Sequence, residues 1–130
     1  MTIPITLGAG GLLGLIYAVL TCRVFVARYR SRIMLGDGTR PGDEKLLIAV
    51  RTHANFAEYV PLILLLLGAA ELQHASRPLL IALAVVLILG RLLHPIGMAL
   101  PAPNLFRAGG ATLTLAVLVI ASLTAVALAL

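Results

Sequence analysis

Residues 51–61 read RTHANFAEYVP, so Arg51, His53, Asn55 and Glu58 stand within eight positions of one another. A second group follows in GRLLHPIGM, residues 90–98, with Arg91, His94 and Met98. Guanidinium groups bind carboxylates through paired N–H···O bonds. Two or three of them set against one or two carboxylates would form a cationic pocket suited to a small anion that carries carboxylates. The competing reading is internal. Arg51 would pair with Glu58 or Glu44, Arg91 would find a carboxylate, and the network would only fix helix register.

These residues are positioned by helices. At about 100° per residue, Asn55 lies about 40° from Arg51 and Glu58 about 20° on its other side. Glu44, one heptad before Arg51, extends the same stripe, whereas His53 points away from it. Arg91, His94 and Met98 fall within about 60° of one another on the next helix. Pro61 removes a backbone donor beside Glu58 and is expected to kink its helix, and Pro95 and Gly97 to loosen theirs.

The elements are expected to cross a membrane. The 130 residues are 61% hydrophobic and 12% charged, with a mean hydropathy of +1.08. Soluble domains carry about 25% charged residues. Four apolar runs stand out, over about 3–26, 46–72, 78–100 and 108–130, each long enough for a core of about 30 Å. The backbone groups in those runs need internal partners in lipid, so the expected fold is all-α, one four-helix domain over residues 1–130. Polar turn residues fill 28–45, ELQHASRP fills 71–78 with Ser76 as a candidate N-cap, and ALPAPNLFR fills 99–107 as a tight turn. The small residues of GAGGLLG, 8–14, read as ordinary close packing rather than a dimer face.

The net charge is +5. Arg28, Arg30, Arg32, Arg40, Lys45 and Arg107 cluster in or beside two loops on one side, and Arg77 marks the other. The positive-inside rule then places both termini outside and the basic loops in the cytoplasm. This asymmetry explains the basicity without a nucleic-acid partner. The single cysteine, Cys22, excludes an intrachain disulfide and reads as a small apolar helix residue. No basic stretch precedes the first apolar run, so no cleaved leader is expected. No metal site is expected.

The spacing R-x-H-x-N-x-x-E-x-x-P, as Arg51, His53, Asn55, Glu58 and Pro61, resembles the second-helix signature of the MAPEG family, membrane-associated proteins of eicosanoid and glutathione metabolism. GRLLH at 90–94 and the proline-bearing turn before Arg107 are similar to the family's third helix and fourth-helix start. The resemblance covers nearly the whole chain. It implies a left-handed, up-down bundle assembled as a homotrimer in a bacterial inner membrane. Glutathione, as co-substrate, would bind between subunits near the cytoplasmic face. Arg51, Asn55, Glu58 and Arg91 would hold it, with Glu58 on its ammonium and Arg51 on a carboxylate or the cysteinyl backbone. Arg107 would stabilise the thiolate. A free thiol has a pKa of about 8.5, and a guanidinium within about 4–6 Å lowers it by about 1–3 units. The sulfur would then attack a hydrophobic electrophile or lipid.

Met98 departs from the family pattern, standing where several catalytic members carry a tyrosine that contacts glutathione. A thioether donates no hydrogen bond. His53 and His94 match family positions. His53, off the stripe, is expected to make a structural hydrogen bond, and His94 is open between structural and chemical roles. Tyr59 is expected in packing, and Arg23 to snorkel or pair. The leading expectation is a membrane-bound glutathione transferase or peroxidase. Its rival is a non-enzymatic family member that binds lipid or serves a partner. A transporter is disfavoured, because the chain is short and shows no inverted repeat or broken helix pair.

Overall fold

The structure, a computed structural model, describes residues 2–130. Four helices account for nearly all of them: α1 (Pro4–Ser31), α2 (Glu44–Leu72), α3 (Arg77–Ala99) and α4 (Leu105–Ala129). All four are long and apolar enough to cross a membrane. The expected spans are recovered with shifted ends. α1 runs five residues past Val26, because nothing in ARYRS interrupts a helix and Arg28 and Arg30 suit the negative end of its dipole. It stops at Arg32, which adopts a left-handed conformation with φ 57°. Ser76 occupies the N-cap position of α3, but its hydroxyl makes no capping bond. α2 and α3 run on through Pro61 and Pro95.

Consecutive helices alternate in direction. α1 packs against α2 and α3, α4 packs against α2 and α3, and α2 meets α3 across the middle, so α1 and α4 hold opposite corners. The core is built from Leu13 and Leu20 of α1, Phe56, Val60, Ile63 and Leu67 of α2, Leu80, Leu83 and Leu87 of α3, and Val117 of α4. Large apolar residues such as Leu15, Leu65, Val85 and Leu123 remain exposed. In water that surface would promote aggregation; in a bilayer it is the face that lipid covers. The result is a four-helix membrane bundle.

Two features tie its ends. At the end that carries both termini, the Glu71 carboxylate accepts from the backbone N–H of Ile5 at 2.9 Å and of Thr6 at 2.8 Å. α1 has no capping side chain of its own, so a residue of α2 satisfies two of its free donors. At the opposite end α3 and α4 approach closely. A Cβ placed on Gly110 would lie 2.7 Å from the backbone nitrogen of His94, so no larger residue fits there. Thr114, one turn on, is buried at the same contact and returns its hydroxyl to Gly110 O at 2.8 Å.

Candidate functional site

The stripe on α2 divides in two. Arg51 and Glu58 are exposed, whereas Asn55 is half-buried and reaches into the bundle. Arg91 is 1% exposed. Its Nη1 donates to Asn55 Oδ1 at 3.0 Å and its Nη2 to Gly110 O at 3.3 Å. Its Nε is buried without a partner among the described residues. The carboxylate expected for Arg91 on the internal reading is replaced by an amide oxygen and a backbone carbonyl. Glu44, the far end of the stripe, folds back so that its Oε1 accepts from Gly42 N at 3.1 Å. A single guanidinium therefore joins α2, α3 and α4, and a hydrogen bond brings two expected site residues, Asn55 and Arg91, together.

Arg107 lies in the first turn of α4 and is exposed. Its backbone is held firmly. Asn104, the N-cap residue, accepts from Arg107 N at 2.9 Å through Oδ1. The other half of the same amide donates to Gly97 O at 2.9 Å and Pro101 O at 3.0 Å. Gly97 faces Arg107 directly, and a Cβ there would overlap the Arg107 backbone nitrogen. Gly97 thus does not loosen α3 so much as admit α4. Met98, beside it, is half-buried, and His94 is buried at the α3–α4 contact.

His53 faces α1. Its ring stacks on Tyr17 with centroids 4.5 Å apart, and Tyr17 stacks in turn on Phe56 at 5.3 Å. Its Nε2 lies 3.2 Å from Thr21 Oγ1. The one Thr21 hydroxyl proton goes to Tyr17 O at 2.9 Å. His53 Nε2 must therefore be the donor, which fixes the proton on that nitrogen and leaves Nδ1 free. Tyr59 is packed against the core. Cys22 is exposed on α1.

Two recesses stand out in the chain, and both lie away from the stripes. A recess of about 250 Å³ lies beside Ile5, Glu71, His74 and Arg77, and one of about 100 Å³ lies between Ala69, Gln73 and Ala125. Both sit at the end bearing the termini, and neither includes Arg51, Asn55, Glu58, Arg91 or Arg107. The exposed charges of α2 occupy an open face instead. The contacts that the sequence does not foretell are Asn104 and Gly97 as the seat of Arg107, and Gly110 as the close approach to His94 that also accepts from Arg91. The first carried a signal, since Asn directly before an apolar helical run is a strong N-cap residue.

Among known proteins, residues 6–127 match the MAPEG family model. The inner membrane protein YecN of Escherichia coli K12 is 31% identical over 90 residues, covering 63% of this chain and 66% of that protein. YecN of Escherichia coli O6:H1 matches to the same extent. The chain thus spans about two thirds of the length of these relatives. No solved structure matches it. The match to the family model takes in all four helices and every residue of the Arg51, Arg91 and Arg107 arrangement, and the chain belongs to the MAPEG family.

Proposed function

We propose that the protein is a membrane-bound glutathione transferase or peroxidase that works as a homotrimer. The observation that carries this reading is the exposure of Arg51 and Glu58, about two and four turns into an otherwise apolar helix. A charged side chain facing lipid at the centre of a span, the position of Glu58, costs about 2.5–3.5 kcal/mol on insertion scales. Against a neighbouring subunit with a water-filled cleft between, the same groups become ligands for a zwitterionic peptide. Arg51 takes a carboxylate or the cysteinyl backbone of glutathione, Glu58 its ammonium, and Asn55 a further polar group, with Arg91 behind it. Arg107, exposed and anchored through its backbone, holds the thiolate by charge. The sulfur then attacks a hydrophobic electrophile delivered from the bilayer.

The related YecN proteins are inner membrane proteins, and the same location is proposed here, with both termini outside and the Arg107 end in the cytoplasm. A non-enzymatic, lipid-binding or accessory role is the second reading, and Met98 favours it: a thioether stands where a hydrogen-bond donor would meet the ligand. The test is to purify the protein in detergent, add glutathione and record thiolate absorbance in the ultraviolet, for the unaltered protein, Arg107→Ala and Arg51→Ala. The enzyme reading expects a thiolate signal that Arg107→Ala abolishes and Arg51→Ala weakens at least tenfold. Binding without thiolate selects the accessory role, and absence of binding ends both glutathione readings. Native mass spectrometry gives the subunit count.

A further inference from the structure

We infer that Arg91 is a positioning residue that makes Asn55 an obligate hydrogen-bond donor toward the ligand, so that this point of the site accepts only a carbonyl or carboxylate oxygen. The inference rests on the proposed binding of glutathione, but its physical basis is internal to the bundle. Arg91 is 1% exposed, and a guanidinium has five N–H donors and no acceptor. Whatever atom of Asn55 faces it must be the amide oxygen, and Oδ1 is found 3.0 Å from Nη1. The amide is thereby locked. Asn55 is half-buried, and its Nδ2 has no partner among the described residues and is not enclosed, so its two hydrogens point out of the Arg91 contact.

Arg91 cannot swing away to serve the ligand itself without cost. Its Nη2 is fixed on Gly110 O at 3.3 Å, and withdrawing it would leave that carbonyl with Thr114 alone. Its orphaned Nε shows that the helix contact already holds the group against an unmet donor. The buried cation also polarises the amide, which strengthens donation from Nδ2. A ligand group that is itself a donor, such as an ammonium, meets a donor at Asn55 and is turned toward Glu58.

Asn55→Asp separates this from a merely structural bond, because the two readouts move in opposite directions. The carboxylate would face the buried guanidinium as an ion pair, relieving a cation that now has only neutral partners, so the thermal midpoint of the full chain in detergent should rise by several degrees. The outward oxygen would carry no proton, so glutathione affinity by titration calorimetry should fall at least tenfold. Arg91→Met, which frees the amide to rotate, should also lower affinity about tenfold; if it does not fold, Asn55→Asp still decides. A lowered midpoint in Asn55→Asp, or affinity held within twofold, overturns the inference. If the unaltered protein does not bind glutathione, the proposed function fails on its own terms, and the direction of the midpoint shift then decides the Arg91–Asn55 relationship alone.

Discussion

Gly97 and Arg107 face each other across the α3–α4 contact with no space for a side chain between them, since a Cβ on Gly97 would overlap the Arg107 backbone nitrogen. The proposed thiolate-holding residue is thus placed by the absence of a side chain on its neighbour. Backbone lies on both sides of this contact, so Gly97→Ala must push the first turn of α4 outward. Overpacking of this kind costs about 1–3 kcal/mol. We expect a lowered thermal midpoint, a thiolate signal reduced at least tenfold, and glutathione affinity changed by less than threefold. Equal losses of binding and thiolate would show that Gly97 serves the fold alone.

Asn104 uses both halves of its amide, accepting from Arg107 N and donating to Gly97 O and Pro101 O. Losing an N-cap to alanine costs about 1 kcal/mol. Asn104→Asp keeps the acceptor for Arg107 but turns an acceptor toward two carbonyls, so it should destabilise the chain at least as much as Asn104→Ala. Asn104→Ser keeps the cap without that repulsion and should lie closest to the unaltered protein. Thermal melts of the three variants check this order; an Asn104→Asp variant more stable than Asn104→Ser would contradict the amide's donor role.

What could be read from the sequence follows from what is periodic and local. The four apolar runs predict all four helices because a span is a property of one contiguous stretch. The Arg51–Asn55–Glu58 stripe is legible for the same reason. Which part of it turns inward is not, because that depends on where α3 packs; Asn55 meets Arg91 36 positions away. Glu71 reads as one more polar residue in the α2–α3 link, and only the closed bundle brings it to Ile5, 66 positions earlier. Gly97 and Gly110 are visible as glycines, but a sequence cannot tell a weakened turn from a close approach until the second helix is in place. Helix geometry aligns the charges of α2 without saying what encloses them.

Glu71 offers a test of the end far from Arg107. Its carboxylate is the shared acceptor of two backbone donors at the start of α1. Hydrogen bonds to a charged group contribute about 1.5–3 kcal/mol each at the upper end of their range. Glu71→Ala should destabilise the chain by about 3 kcal/mol, the low end for two such bonds, and raise amide exchange in the first turn of α1. Glu71→Gln, which retains one good acceptor, should recover part of the loss. Glutathione affinity should be unchanged in both, because the affected turn lies at the opposite end of the bundle from Arg107. A fall in affinity with intact folding would place the ligand near the termini instead.

His53 belongs to the signature of the second helix yet points at α1, where it donates to Thr21 Oγ1 and stacks on Tyr17. His53→Phe preserves the stack and removes one hydrogen bond. Thr21 keeps its own donor satisfied on Tyr17 O, so no proton is stranded by the change. The cost should be about 0.5–1.5 kcal/mol, with turnover of an aryl halide held within twofold. Thr21→Val, which deletes the acceptor but leaves His53, should cost a similar amount, and the double variant should cost less than the two combined because both remove the same bond. A tenfold loss of turnover in His53→Phe at unchanged stability would instead move His53 from the α1–α2 contact into the chemistry.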